Sequence, residues 1–196
     1  MPPPTGTAKT PPPPPQEYNP LAAFLSYLVP GLGQIYQGRI AKGFLFLVCV
    51  HVLFFYGMAL GGYKNVYLGD TMDVNDPWDL KHSSWPLARL RANLYNRPQF
   101  LGQVWVGVAA WPAILQYYRH DKNLDRDPVL GTFERQPSEE LLNTLQIESD
   151  KTWDLAWVYT VIAGVLNVLV IYDALAGPAF AVETEPKRKP QEVPAV

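Results

Sequence analysis

Acidic side chains recur at regular spacing in one polar stretch, with a histidine close behind. These residues are Asp70, Asp73, Asp76, Asp79 and His82. Carboxylates and an imidazole spaced in this way could share a divalent cation if the backbone curled around it. Pro77 interrupts any continuous helix across them, so a solvated acidic loop explains the same pattern. We predict the solvated loop and keep metal binding as the alternative.

A second polar stretch, Asp121 to Asp127, imitates the first half of a calcium-binding hand loop, with oxygen ligands at its first, third, fifth and seventh positions. The rest of the pattern fails. Arg126 replaces the glycine that the sharp turn needs, and Thr132 stands where a bidentate glutamate belongs. We therefore predict no metal and no cofactor.

The motifs of known membrane enzymes are absent: there is no His-Glu-x-x-His helix, no Gly-x-Ser-x-Gly elbow and no Walker loop. Ser26 and His51 lie on different apolar segments and could meet in the fold. In a chain of this length, however, a serine and a histidine can satisfy this condition by chance, so the pair does not indicate a catalytic site. The sequence predicts that the protein is not an enzyme, with an enzyme acting on lipid as the alternative.

His51 lies near the middle of an apolar segment, where an ionisable residue is a functional candidate. The competing interpretation is that neutral His51 bonds a partner such as Asn167 or Gln103 and fixes helix packing. No second metal-type ligand stands at helical spacing from it. We therefore predict that His51 is structural.

These residues must be positioned by apolar segments, which alternate with polar ones. The formal charge of -2 leaves no basic field for nucleic acid, and the single Cys49 excludes an internal disulfide.

Proline-rich residues 1–19 do not resemble a secretory signal and are predicted to be a disordered tail, with a ligand for a proline-recognising module as the alternative. Residues 178–196 are predicted to be a second disordered tail, whose three basic residues could touch anionic headgroups.

Apolar segments long enough to cross a bilayer alternate with the loops, since a helix needs roughly 20 residues for a hydrocarbon core of about 30 Å. Segments 99–118 and 153–177 are predicted to be transmembrane helices, the first kinked at Pro112. Segment 20–62 is predicted to be a transmembrane helical hairpin. Its first arm contains Pro30-Gly31-Leu32-Gly33, which predicts a kinked or broken span, or a re-entrant hairpin packed against protein.

Small and polar residues recur at steps of three and four along segments 99–118 and 153–177. In a membrane such a stripe is the face that packs on another helix. Together with the interrupted first segment, these stripes supply the residues that we expect to pack helices or support structure: Pro30, Gly31, Gly33, Gly38, His51, Gln103, Gly107, Gly164, Asn167 and Asp173.

The connecting loops carry two further predicted helices. In loop 63–98, leucines at 87, 90 and 94 alternate with polar residues and predict an amphipathic helix on the membrane surface, or one that binds a partner. In loop 119–152, Pro137-Ser138-Glu139-Glu140 opens a short helix through Ile147, with serine at the cap.

The residues from Asn19 to Phe44 read NPLAAFLSYLVPGLGQIYQGRIAKGF and resemble the hairpin of the two-transmembrane-helix ("TM-two") domain family. The end of the chain, from Tyr159 to Ala174, is similar to an uncharacterised family of four-span membrane proteins of planctomycete-type bacteria. The resemblance implies a topology and no reaction, cofactor or catalytic residue. The acidic-arginine-aromatic triplet of some animal TM-two members is missing, so no signalling role carries over.

The sequence as a whole predicts an all-α, polytopic membrane protein, a bundle of about four transmembrane helices. We expect a non-enzymatic scaffold, assembly factor or partner-binding subunit in a bacterial inner membrane, with both termini cytoplasmic. Its expected partners are the lipid bilayer and a protein or a second copy bound through the membrane helices, with no nucleic acid. The alternative is a small transporter or channel component that works as an oligomer.

Overall fold

The computed structural model describes residues 18–69, 85, 88, 91, 94–95, 97–119, 130–148 and 151–177. These residues form helices and turns, and none of them forms a strand. The helices, numbered here in chain order, are α1 (Pro20–Leu28), α2 (Leu32–Tyr36), α3 (Ile40–Leu60), α4 (Pro98–Gln103), a 3-10 helix (Val104–Ala110), α5 (Trp111–Arg119), α6 (Glu139–Glu148) and α7 (Thr152–Ala176).

Two long helices, α3 and α7, run antiparallel and pack on each other along their length. Gly57, near the end of α3, approaches Thr160 near the start of α7, and Lys42 at the start of α3 bonds Asp173 at the end of α7. Both helices are long and apolar enough to cross a membrane. Only 28% and 33% of their most apolar stretches are buried, so most of that apolar surface faces outward.

The first apolar segment folds back on itself beside α7. Asn19 N donates to Leu175 O (2.9 Å), and Ser26 O, farther along, accepts from Asn167 (3.1 Å). The chain then reverses and returns to the end of α7, where Gln37 Nε2 donates to Ala174 O (2.7 Å). The first hairpin, Asn19–Gln37, therefore starts and ends at the same end of the bundle.

Local sequence explains where this hairpin starts and turns. Asn19 Oδ1 accepts from Ala22 N (3.0 Å) and Pro20 occupies the first turn of α1, where its missing N–H is not needed. Val29 is extended, as a residue before proline prefers, and Gly31 has φ of 86°, a conformation that glycine adopts without strain. A Cβ at Gly31 would also collide with Gly43 O of α3.

The second apolar segment folds back in the same way from the opposite end. Arg97, just before α4, stacks on Tyr67 with 3.7 Å from Cζ to the ring centre, and Trp105 O reaches Asn167 (2.7 Å). Ala113 N then bonds Glu134, whose own N–H donates to Tyr63 O (3.0 Å) just beyond α3. The second hairpin, Arg97–Arg119, therefore returns to the end of the bundle where it began.

The break in the second segment differs from the predicted kink at Pro112. The chain leaves helical geometry at Gly107, whose φ of 83° and ψ of -133° suit glycine alone. Pro112 instead lies in the first turn of α5, a position that proline favours. The segment 99–118 is thus two short helical arms and not one kinked helix, because the glycine offers a reversal that the proline does not.

Ser138 lies just before α6, as predicted, and its Oγ accepts from Leu141 N (3.4 Å). Most of the predicted amphipathic helix, both acidic stretches, residues 1–17 of the amino-terminal tail and the carboxy-terminal tail lie outside the described residues. The apolar core lies between α3, residues 66–68, the second hairpin and α7. Its buried members are Val50, Phe54, Met58, Val66, Leu68, Phe100, Val106, Ala110, Ala113 and Ala163.

Candidate functional site: the meeting point of the two hairpins

The tips of the two hairpins meet at Asn167 in the interior of α7. Its buried Nδ2 donates to Ser26 O of the first hairpin (3.1 Å) and to Trp105 O of the second (2.7 Å). Both partners are carbonyls, so the amide nitrogen must face them. One side chain therefore satisfies a backbone acceptor on each hairpin.

Gly107 brings the two tips into direct contact. A Cβ at this residue would collide with the carbonyl oxygens of Tyr27 and Leu28, which end α1. Trp105 also packs edge-on against Tyr27, with ring centres 6.0 Å apart. Any side chain at residue 107 would have to displace backbone, so glycine is required here for space as well as for φ.

A buried polar chain links the first hairpin to α7. Ser26 Oγ donates to Gln34 Oε1 (3.0 Å) and accepts from Gly33 N (3.1 Å). Gln34 Nε2 donates in turn to Val170 O (2.8 Å) and to Asp173 Oδ2 (3.1 Å). These contacts hold the two arms of the hairpin together and tie the returning arm to α7.

A charged cluster lies at the base of the first hairpin. Asp173 accepts from Arg39 Nη2 (2.6 Å) on one oxygen and from Lys42 Nζ (2.7 Å) on the other. The side chain of Asp173 is 19% exposed, that of Arg39 18% and that of Lys42 41%. Two cations on one carboxylate leave this cluster with a net positive charge.

Amide side chains hold the second hairpin against the first half of α7. Gln103 Nε2 donates to Thr160 Oγ1 (2.7 Å) and to Asn65 O (3.3 Å). Asn65 Nδ2 donates to Ala156 O (3.0 Å) and to Gly57 O (3.3 Å). The backbone of Gly102 lies so close to α7 that a Cβ at Gly164 would collide with its carbonyl oxygen.

Glu134 is fully buried beside the returning arm of the second hairpin. Its Oε2 accepts from Ala113 N (2.9 Å) in the first turn of α5. Burial raises the pKa of this carboxyl to about 8, and the hydrogen bond from Ala113 lowers it only in part. Burial at this end of the bundle therefore favours the protonated form of the Glu134 carboxyl.

The structure brings most of the predicted packing residues into these contacts. Pro30 and Gly31 form the first turn, Gly33 packs against α1, and Gln103, Gly107, Gly164, Asn167 and Asp173 make the contacts described above. Gly38 has φ of 80° and open space around its α-carbon. It lies in the linker between α2 and α3.

His51 has a different partner from the predicted ones. Its Nδ1 lies 2.8 Å from Leu47 O one turn earlier in α3, and its ring stacks on Phe55. Asn167 and Gln103 instead bond the residues named above. The expected cross-helix bond of His51 is therefore wrong, because its ring is only partly buried and bonds within its own helix.

Sequence reasoning missed Asn65, Glu134 and the partners of Asp173. The sequence around Glu134 gives no clear signal of burial, since mostly polar residues follow it from Arg135 to Glu140. Gln34 did carry a signal, because it is a polar residue inside an apolar glycine-rich turn. In the part of the chain that the structure describes, no group of three or more His, Cys, Asp or Glu side chains is placed to hold a metal ion.

The fold defines an all-helical bundle with two long apolar helices and two opposed hairpins. A family model, the family of unknown function DUF6677, matches residues 21–189, and the chain belongs to this family. The match covers the first hairpin from Leu21 onwards, the whole second hairpin and both long helices. No curated protein and no solved structure matches the chain.

Proposed function

We propose that this is a multi-pass integral membrane protein in which α3 and α7 cross the bilayer and the two hairpins enter it from opposite faces. At about 1.5 Å per residue, the 21 residues of α3 and the 25 of α7 match a hydrocarbon core of about 30 Å. Their exposed side chains are the apolar ones that lipid favours. Those on the two helices include Phe44, Leu45, Val48, Val52, Phe55, Leu155, Val158, Ile162, Val165, Leu166 and Leu169.

The hairpins fit this setting because their turns are bonded to protein. Non-helical backbone is tolerated at membrane depth only where other groups satisfy it. Asn167 supplies a donor to both tips, and Gln34 and Gln37 supply donors to the last turns of α7. Asn167 thus serves the interrupted backbone of both hairpins, while Gln34 and Gln37 attach the first hairpin to the end of α7.

The proposed activity is that of a non-enzymatic scaffold, assembly factor or partner-binding subunit in a bacterial inner membrane. The observation that supports it is that buried Asn and Gln side chains bond the main chain of neighbouring segments. Asn65, Gln103 and Asn167 each donate to main-chain carbonyls of neighbouring segments, an arrangement that stiffens the bundle. Ile147 of α6 lies outside the long helices and is 84% exposed, so it offers an apolar contact for a protein partner.

Co-purification from mild detergent tests this function. We expect a stoichiometric protein partner with the wild type and with Thr144→Glu, and loss of that partner with Ile147→Glu. Thr144 is a matched control because it is also exposed on α6. Recovery of lipid alone from all three proteins would contradict a partner-binding role.

The second candidate is a small transporter or channel component that works as an oligomer. The observation in its favour is the opposed pair of interrupted segments that meet at Asn167, since transporters build substrate and ion sites from broken helices of inverted orientation. Reconstitution into liposomes with an ion or solute gradient tests it. Flux that depends on Asn167 would favour this candidate over the scaffold, and equal leak with and without protein would reject it.

The crossing pattern has its own test, in a Cys49→Ala background. Two crossings place Gly38 on the same face as the termini and Gly62 on the face of Ser138, whereas four crossings exchange the two positions. Both glycines have positive φ and open space around them, so Gly38→Cys and Gly62→Cys are matched probes. With two crossings, Gly38→Cys and Ala195→Cys should behave alike towards an impermeant maleimide in intact cells, both labelled or both protected until lysis, and Gly62→Cys should behave in the opposite way. Labelling of Gly62→Cys with Ala195→Cys would restore four spans.

The same experiment decides orientation. With two crossings, the terminal face carries six Lys and Arg, namely Lys9, Arg39, Lys42, Lys187, Arg188 and Lys189, and the other face carries the remaining ten of the 16. The positive-inside rule then favours termini outside, the reverse of the orientation expected from four spans. Cytoplasmic termini stay a prediction, and protection of Ala195→Cys until lysis would establish them.

A further inference from the structure

A short turn, residues 130–134, joins the second hairpin to the segment that follows α3. Phe133 O accepts from Gln116 Nε2 of α5 (2.9 Å), and the rings of Phe133 and Tyr63 lie 6.2 Å apart. Glu134 N donates to Tyr63 O (3.0 Å), while Glu134 Oε2 accepts from Ala113 N (2.9 Å). We call this turn the clasp, because its contacts hold α5 against the end of α3.

The carboxyl of Glu134 is the ionisable group of the clasp, and its surroundings suit the neutral acid. The residue is fully buried, has a φ of 49°, and its Oε1 has no hydrogen-bond partner among the described residues. An ionised carboxylate that receives one hydrogen bond in an apolar environment is strongly destabilised. The neutral acid can still accept the Ala113 N–H with Oε2, so protonation preserves the contact that caps α5.

We propose that Glu134 is a proton-binding site that fastens the second hairpin, and that loss of its proton releases α5 from the segment after α3. The coupling follows from the geometry, since the group that binds the proton also makes the hydrogen bond to α5. Opening the clasp would expose the carboxyl to water, where the ionised form is favoured. The proton therefore binds the closed hairpin more tightly than the open one.

The pH range follows from the raised pKa of about 8 in the closed state and the ordinary value of 4.5 in the open state. The closed form gains its full stabilisation below about 4.5 and loses it as the pH rises through about 8. In this window the opening equilibrium should increase about tenfold per pH unit and then level off. Other titratable groups near the clasp are Arg135, which follows it directly, and, on the elements packed against it, Tyr63, Lys64, Tyr117, Tyr118 and Arg119.

Hydrogen exchange of the full-length protein in detergent tests the proposal, with wild type and Glu134→Gln compared at each pH so that the intrinsic exchange rates cancel. Relative to Glu134→Gln, the wild-type amides of residues 113–119 should exchange about a hundredfold faster at pH 7.5 than at pH 5.5. Peptides from the first hairpin should show no such trend. Glu140→Gln is the control, because Glu140 is exposed on α6.

A ratio that stays constant with pH would overturn the proposal, and so would an equal trend in the first hairpin, which would indicate general instability. If Glu134→Gln does not fold, infrared titration of the wild type still tests the site. A buried carboxylic acid C=O band should be present at pH 6 and disappear as the pH rises through about 8. Its absence at pH 6 would also overturn the proposal.

Discussion

The first hairpin is anchored at its base by charges, whereas the second is anchored by uncharged amides and one buried acid. Arg39 and Lys42 share Asp173 at the base of the first hairpin. Gln103 and the clasp at Glu134 hold the second hairpin. Two hairpins of the same outline can therefore differ in what loosens them: salt should act on the first and pH on the second.

The strongest test of how the hairpins depend on each other is Gly107→Ala, which acts where their tips touch. The new Cβ would collide with Tyr27 O and require a positive φ, so we expect a loss of about 4 kcal/mol or failure to fold. Gly38→Ala is the matched control, with φ of 80° and open space, and should lose only about 1 kcal/mol. Thermal unfolding in detergent measures both. Equal losses would mean that the tips do not pack as described.

Asn167→Leu should have the next largest effect, because it removes a donor from both hairpins at once. The carbonyls of Ser26 and Trp105 would stay buried without this donor, which costs about 2 to 4 kcal/mol in total. Val168→Leu, at a neighbouring residue that is 39% exposed, should change stability by less than about 0.5 kcal/mol. Cysteine accessibility at both tips should rise together in Asn167→Leu. A rise at one tip alone would show that the hairpins are independent.

Asp173→Asn should loosen the first hairpin and leave the second unchanged. It removes two ion pairs whose cations are partly exposed, so we expect a loss of about 1 kcal/mol that shrinks in high salt. Hydrogen exchange resolved by peptide measures the effect on each hairpin. A comparable change in residues 113–119 would contradict the assignment of separate anchors.

His51→Leu should have the smallest effect, because His51 touches neither hairpin in the contacts that we describe. Its bond to Leu47 O lies within α3, where the carbonyl also has a helical N–H partner. We expect a change below about 0.5 kcal/mol for His51→Leu and for His51→Asn, measured by thermal unfolding. A reaction or ion flux lost in either variant would reject the structural interpretation of His51.

The sequence alone determined the two long helices, the short helix α6 and most residues at which segments approach closely. These follow from local properties: uncharged length predicts α3 and α7, Ser138 marks the start of α6, and glycines such as Gly31, Gly107 and Gly164 permit reversal or contact. The tertiary structure decided that two apolar segments turn back, since a reversal persists only where a distant group such as Asn167 satisfies the interrupted backbone. It also decided that Glu134 is buried and that Asp173 faces two cations, because burial and charge pairing depend on residues far apart in the chain.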